Sequence, residues 1–531
     1  MNSEDTTKWD WSIAKSTGGP VASLTVTTNG NLISPFRIKG VCYSPCPIGG
    51  SNNNAPSIGD WFWDTYKSGD TTIQSWEETW SRDLLKIKKL GANTIRVYCM
   101  LSEQLPEHYN EGLVFTHNNF LDACYSKGLF VLVGFPMPQE VFYKDEEPNL
   151  GINWWTTNLK STIKQLASHP AILGFTIANE VDNGAVNTYE NESKTNTVKV
   201  KYFWDQVENI AKLSKKLAPD KLIGIANHDD PNICKKASSY MEKCTSVDFW
   251  GINTYQPDSF VSIFGNSETV GYSTIPKAAL KPTILTEYGF PSTSRKSVNT
   301  LKPEKIYSDS TTQKNVANVL STMLPKAQAE QLNLGVCYFE FCDEWWNQST
   351  FNITPVTSTC RSATGANTPT PGNGGPFVSP NDYTWYGGPV ACGFPNYYWD
   401  NEGFGLYSVG VAEGRSPANP WEDNAPALPL DTRTARPPLI AALTDFYKKS
   451  FLSGVVVAID KQPGKPIQVG LSSDQYGRPP ATGKGSLTNY FYEPNDITAA
   501  EEAQLSDSKN SGKYVTLTLE GRNVTSVIVG N

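Results

Sequence analysis

Two kinds of stretch alternate along most of the chain. Short apolar runs recur at "RIKGVCY" (37–43), "NTIRVYC" (93–99), "LFVLVGF" (129–135), "AILGFTIAN" (171–179), "KLIGIAN" (221–227), "VDFWGINTY" (247–255), "PTILTEYG" (282–289) and "LGVCYFEF" (334–341). Runs of this length, bounded by turn residues, read as strands buried on both faces. Between them lie longer segments, at 75–91, 118–128, 155–170, 202–219 and 311–331, whose apolar positions return every three or four residues among charged ones. That spacing predicts amphipathic helices, the first of them ending on Gly91 as a C-cap. Strands that alternate with helices imply a parallel sheet covered by helices, and eight such units predict an α/β fold, a (β/α)8 TIM barrel.

The ends depart from this rhythm. "VASLTVTTNGNLI" has two alternating runs joined by Asn-Gly, which predicts a β-hairpin within an N-terminal segment, residues 1–36. The barrel is expected over residues 37–452, its last helix being "PLIAALTDFYKKS" (438–450). Residues 343–400 are rich in Gly, Pro, Thr and Asn and read as a long functional loop after strand eight. Beyond it, "GVVVAIDK", "PIQVGLS", "NYFYEP", "YVTLTLEG" and "VTSVIVG" predict a small β-rich C-terminal module, residues 453–531.

Composition narrows the class. A net charge of −8 argues against nucleic acid as a partner, since such proteins present a basic face. No apolar run approaches the length of a membrane span, and the N-terminal residues lack the apolar core of a signal peptide. Sequons at Asn191, Asn347, Asn352 and Asn523 suit a secreted or wall-associated protein. Fifteen Trp and 24 Tyr suit a core, and equally a surface on which sugar rings stack. No CxxC pair occurs; Cys234 with Cys244, and Cys360 with Cys392, are candidate disulfides.

In a barrel of this kind the chemistry lies at the C-terminal ends of the strands. Those ends carry Tyr43, then Arg96 and Tyr98, Asn179-Glu180, Asn227-His228-Asp229, Asn253-Thr254-Tyr255, Glu287-Tyr288, and finally Glu340, Asp343, Glu344, Trp345 and Trp346. Glu180 and Glu287 end strands four and seven, which face each other across a closed barrel. A carboxyl pair flanking a sugar bond is what glycoside hydrolysis requires, with a retaining outcome at a separation of about 5–5.5 Å. A lone strand-end glutamate is more often simply solvated; the pair, in this strand order, is what carries weight. His228 with Asp229 and Asp230 has the look of a metal ligand set, but with only four His in the chain no metal and no cofactor is expected.

The stretches "GVCYSP", "RDLLKIKKLGANTIRVY", "HPAILGFTIANEVDN", "DFWGINTY", "ILTEYGF" and "EGFGLYSV" resemble the fungal-type β-1,3-glucanosyltransferase family, among the retaining glycoside hydrolases with a (β/α)8 barrel. The resemblance implies an enzyme that acts on β-glucan, a polysaccharide or oligosaccharide substrate, through a covalent glycosyl-enzyme. It implies Glu180 as general acid/base and Glu287 as nucleophile. Asn179 would bond the sugar 2-hydroxyl, Tyr255 would donate to the nucleophile, and Arg96 would set a cation beside it. Tyr98 and Tyr338 would line the cleft, with Trp345 or Trp346 as the floor under the reacting sugar; Tyr43 and His228 are read as substrate-binding from their strand-end places alone. The chain departs from the family at "EYGF", where its members have "EYGC", and at "FEFCDEWWNQST". The alternatives are a relative that cleaves β-mannan or β-1,4-glucan, and a non-catalytic carbohydrate-binding protein.

Overall fold

The computed structural model describes residues 9–15, 22–28, 31–45, 60–103, 114–143, 150–182, 196–228, 241–264, 281–295, 305–306, 309–330, 332–344, 394–395, 403–410, 430–460, 467–473, 486–492, 498–511, 514–520 and 523–529. Three strands come first: β1 (Trp9–Lys15), β2 (Ala22–Thr28) and β3 (Asn31–Phe36). β4 (Ile38–Cys42) follows, then the hairpin β5 (Tyr66–Ser68) and β6 (Thr71–Ile73) and helix α1 (Glu77–Lys89). Next come β7 (Thr94–Val97), α2 (Asn118–Ser126), β8 (Phe130–Gly134), α3 (Glu140–Tyr143), α4 (Leu150–Leu166) and β9 (Ile172–Asn179). The chain continues through α5 (Asn196–Leu217), β10 (Leu222–His228), β11 (Phe249–Asn253), α6 (Val261–Phe264) and β12 (Thr283–Tyr288). After the short pair β13 (Ser294–Arg295) and β14 (Lys305–Ile306) come α7 (Ser310–Ala329) and β15 (Asn333–Tyr338).

Eight of these strands close into one barrel in the order β4-β7-β8-β9-β10-β11-β12-β15, with β15 pairing back onto β4. Each neighbouring pair is parallel. They are the eight apolar runs of the sequence, and the fold is a (β/α)8 TIM barrel. The helices form for the reasons their sequences give. α1 has Glu77 and Glu78 in its first turn and Lys86, Lys88 and Lys89 in its last, each set matched to the dipole. The chain leaves it through Gly91 at φ +85°, a backbone angle that costs glycine little. α7 is capped by Asp309, whose carboxylate accepts from the Thr312 N–H.

The expected hairpin is β2–β3, and β1 joins it as a third antiparallel strand that the sequence reading missed. This sheet is fastened to the N-terminal end of the barrel. Trp11 packs edge-on against Phe130, the first residue of β8. The Trp9 indole donates to the Tyr125 hydroxyl, and Lys221 Nζ donates to the Trp9 carbonyl.

After the barrel come the antiparallel pair β16 (Tyr407–Gly410) and β17 (Thr432–Ala435), then the expected last helix, α8 (Pro437–Lys448). The tail holds β18 (Ser450–Asp460), β19 (Ile467–Ser473), β20 (Ser486–Tyr492), helix α9 (Ala499–Ser511), β21 (Tyr514–Glu520) and β22 (Asn523–Val529). Its five strands close into a second, smaller barrel. α9 was not expected, although Thr498 and Glu501 form the reciprocal capping box that announces a helix. Most of the long loop expected after strand eight, and both Cys360 and Cys392, lie outside the described residues. The candidate Cys234–Cys244 disulfide is not formed: Cys244 is a buried free thiol directed at the Trp204 carbonyl, and Cys234 lies outside the described residues.

One buried ion pair ties the segment after β4 to α2. His117 Nε2 meets Asp60 Oδ2 at 2.9 Å, and its Nδ1 meets Gln165 Oε1 at 3.2 Å. Gln165 gives its amide N–H to the Phe115 carbonyl, so the atom that faces the imidazole is an oxygen. Both ring nitrogens therefore face acceptors, as an imidazolium requires. Although burial opposes the charge, Asp60, Gln165 and Asp64 together raise the His117 pKa above its usual value. With the folded pKa raised, the stabilisation is complete below the unfolded value and fades as pH rises through the folded one. We expect His117→Gln to lose about 3 kcal/mol at pH 6, since Asp60 is left without its buried cation. The deficit should shrink above neutrality, as read from unfolding midpoints against pH; a deficit that stays constant with pH would contradict a charged His117.

Candidate active site

The C-terminal ends of the barrel strands are filled by one hydrogen-bonded network centred on Arg96. Side chains alternate along a strand, so Arg96 and Tyr98 at the end of β7 share the inward face. Arg96 has almost no contact with solvent, and both terminal nitrogens of its guanidinium donate to acceptors from β9 and β12. Nη1 donates to Glu287 Oε1 and to the Thr286 carbonyl, both at 2.8 Å, and Nη2 donates to Asn179 Oδ1 at 2.6 Å. The cation also lies over the Tyr98 ring, 4.5 Å from its centre.

Glu287, near the end of β12, is 5% exposed and accepts from three side chains. Arg96 and Tyr98 hold Oε1, the tyrosine at 2.8 Å, and the Tyr255 hydroxyl donates to Oε2. Burial, together with the neighbouring Glu287 charge, pushes both phenols well above their usual acidity range, so they serve as donors. The carboxylate is thus fixed in place, with its charge compensated.

Glu180 is treated differently. It follows β9 with φ at +51°, a left-handed conformation that costs a non-glycine residue about 1 kcal/mol and is sustained only by its surroundings. Its backbone N–H is held by the Ala226 carbonyl. Its Oε1 accepts from Asn253 Nδ2 at 2.9 Å. Burial, and then the charge of Glu287, raise its pKa to about 8. One carboxyl is therefore surrounded by three donors, while burial and a like charge push the pKa of the other up to about 8. That separation by environment is what acid and nucleophile roles require.

Asn179 joins the two. Its Oδ1 accepts from Arg96 and, at 3.0 Å, from Asn253 Nδ2, so its oxygen is committed while the residue itself is exposed. Register shifts sit beside these groups in the β9–β10 and β11–β12 pairings, where a bulge re-aims side chains. Phe339, just after β15, sets its ring edge-on to Tyr98 and Tyr255.

The network thus brings together Arg96, Tyr98, Asn179, Glu180, Tyr255 and Glu287. Two expected cleft residues lie elsewhere. Tyr43 is fully buried, and its hydroxyl donates to Asp83 on α1 at 3.1 Å. Tyr338 is fully buried and donates to the Phe404 carbonyl at 3.1 Å. The cause in each case is alternation. Cys42 and Cys337 face the barrel interior within reach of the Arg96 and Glu287 charges, so their neighbours Tyr43 and Tyr338 face out. His228 ends β10 half-buried, its backbone N–H held by Asp182. Trp345, Trp346, Asp229 and Asp230 lie outside the described residues. Of the other acids after strand eight, Asp343 is taken by a two-pronged pair with Arg436, and Glu340 is fully buried. Burial, then the nearby Glu344, raise the Glu340 pKa well above the usual range. Sequence reasoning places Asn253 at a strand end without a role and misses Phe339; the alternation that puts them on one face with Tyr255 and Cys337 was the available signal. Among the described residues no group of His, Cys, Asp and Glu side chains converges as metal ligands.

Comparison with known proteins gives the architecture a family. Residues 25–324 match the family described as "Glucanosyltransferase". The chain belongs to the glucanosyltransferase family. It is similar to "1,3-beta-glucanosyltransferase GAS2" of Saccharomyces cerevisiae, with 27% identity over 177 residues, covering 33% of this chain and 28% of that protein. It is also similar to "1,3-beta-glucanosyltransferase GAS4" of the same yeast, with 26% identity over 274 residues and 48% of each chain. A "1,3-beta-glucanosyltransferase" of Arthroderma benhamiae is 24% identical over 181 residues, covering 34% of this chain and 29% of that one. The chain thus spans less than half the length of these glucanosyltransferase relatives. Among solved structures, Bacteroides uniformis β-glucuronidase aligns with a TM-score of 0.39 at 17% identity, over 64% of this chain and 33% of that one.

The electrostatics of this glucanosyltransferase-family site predict a stability effect. The raised Glu180 pKa means that the folded state retains a proton which the unfolded chain releases. Its contribution is complete below the unfolded value near 4.5 and is lost as pH rises through about 8. Glu180→Gln, neutral throughout, should raise the melting temperature by a margin that grows between pH 5 and 8. A margin that is flat across that range would mean that Glu180 is not proton-bound in the fold.

Proposed function

We propose that the chain is a retaining β-glucan-active enzyme, with β-1,3-linked glucan as substrate, that transfers glucan through a covalent glycosyl-enzyme. The observation that carries the reading is the unequal treatment of two carboxyls in one network. Glu287 is held by three donors, while Glu180 carries a pKa raised to about 8. In the first step a Glu287 carboxylate oxygen bonds to the anomeric carbon as the glycosidic C–O bond breaks. The departing oxygen takes the proton from Glu180. In the second, an acceptor hydroxyl gives its proton to Glu180, and its oxygen displaces Glu287 from the same carbon. The acceptor is a sugar in transfer and water in hydrolysis. Asn179 offers its N–H groups to the sugar 2-hydroxyl, a contact that tightens in the transition state.

Family membership favours β-1,3-glucan over mannan or β-1,4-glucan. Two carboxyls in one network, unequally treated, speak against a binding-only protein, which has no use for them. We place the protein with its polysaccharide, outside the cell or at the wall; among the described residues no helix is long and apolar enough to cross a membrane. We take the tail beyond the barrel as a separate module.

Incubation with laminari-oligosaccharides, with product lengths read by mass, tests this. Products longer than the substrate are expected; shorter products alone would mean hydrolysis, and an unchanged substrate would remove the proposal. Glu287→Ala should lower turnover by about 10^4-fold or more while sugar binding persists. The alkaline limb of the rate profile should fall near pH 8, where Glu180 loses its proton.

A further inference from the structure

Asn253 and Thr286 are both fully buried, and neither reaches the opening. Yet they complete the only side-chain hydrogen bond recorded to Glu180 among the described residues. The donor directions can be deduced in sequence. A guanidinium only donates, so the Asn179 atom facing Arg96 Nη2 is its carbonyl oxygen. The Asn253 atom facing that oxygen, at 3.0 Å, must then be its nitrogen. The same nitrogen supplies Glu180 Oε1 at 2.9 Å, so both of its hydrogens are committed. The Asn253 oxygen is left as an acceptor, and Thr286 Oγ1 donates to it at 2.7 Å. Reversing the amide would set its oxygen against two acceptors.

We propose that Thr286 and Asn253 are positioning residues for the acid/base, aiming the Glu180 carboxyl from the strand that carries the nucleophile. The inference rests on the acid/base reading of Glu180. Thr286 directly precedes Glu287 on β12, and its carbonyl accepts from Arg96. Its place beside β11 depends on Gly251, where a Cβ would lie 2.8 Å from Thr286 Cγ2. Both carboxyls are thereby referred to one rigid strand pair, so the distance between them does not depend on the loop that follows Glu180. A donor on Glu180 also favours its charged form, opposing burial and the Glu287 charge. Loss of that donor should move the proton affinity further up.

The test compares pH–rate profiles on laminari-oligosaccharides for the full chain and three variants. Thr286→Val keeps the shape but removes the hydroxyl, leaving the Asn253 oxygen without its donor. It should lower kcat about tenfold and move the alkaline limb up by about half a pH unit or more. Thr286→Ser should restore both, and Asn253→Ala should exceed Thr286→Val in both. An unmoved limb in Thr286→Val and Asn253→Ala, with rate losses that track melting temperature, would overturn the positioning role. Glu180→Gln, run in parallel, separates the two levels: an inactive Glu180→Gln together with unmoved limbs in Thr286→Val and Asn253→Ala removes only this inference. A fully active Glu180→Gln removes the acid/base reading and the inference with it.

Discussion

A guanidinium cut off from water must be surrounded by acceptors, and that demand at Arg96 organises the mouth of this barrel. An unpaired buried cation would cost several kcal/mol. The acceptors that satisfy it come from β9 and β12, so closing the barrel and assembling the site are one event. Glu287 is in turn unable to leave its cation, and Tyr98 and Tyr255 complete its shell. Groups held this way need no reorganisation when charge shifts during reaction, which is the main source of electrostatic catalysis.

The same network distributes two opposite demands. Glu287 is given three donors, while Glu180 is given one, a strained backbone angle and a like charge nearby. The second arrangement costs stability above the ordinary carboxylate range. That is the expected position of a proton donor for neutral pH: its fold tolerates the charged form poorly. Asn179 stands between the two, its oxygen shared by Arg96 and Asn253.

Elsewhere the molecule spends buried polar groups on fastening. His117 with Asp60 ties the segment after β4 to α2, and Arg433 with Asp83 ties β17 to α1. Arg436 with Asp343 fixes the chain after β15 to the start of α8. Each joins segments outside the barrel's own ladder, where hydrogen bonds between strands cannot reach.

The alternation of apolar runs with amphipathic stretches fixed eight strands, their order and the barrel, because strands buried on both faces have no partner but one another. It also put Glu180 and Glu287 at strand ends, since a strand's end is where polar residues resume. What it did not settle is which way each end residue faces. Tyr43 and Tyr338 were read as cleft residues, yet they sit one position from inward-facing cysteines and point out. Asn253 is placed at its strand end by the sequence but given no role there, and Phe339 is not singled out, although both share the inward parity. Parity is legible only once the register of one inward residue is known, and register is set by pairing between distant strands, with bulges that shift it at the mouth. The acceptors around Arg96, the three donors on Glu287 and the single donor on Glu180 are relations between groups up to 191 positions apart. Only the closed barrel brings them within hydrogen-bond reach.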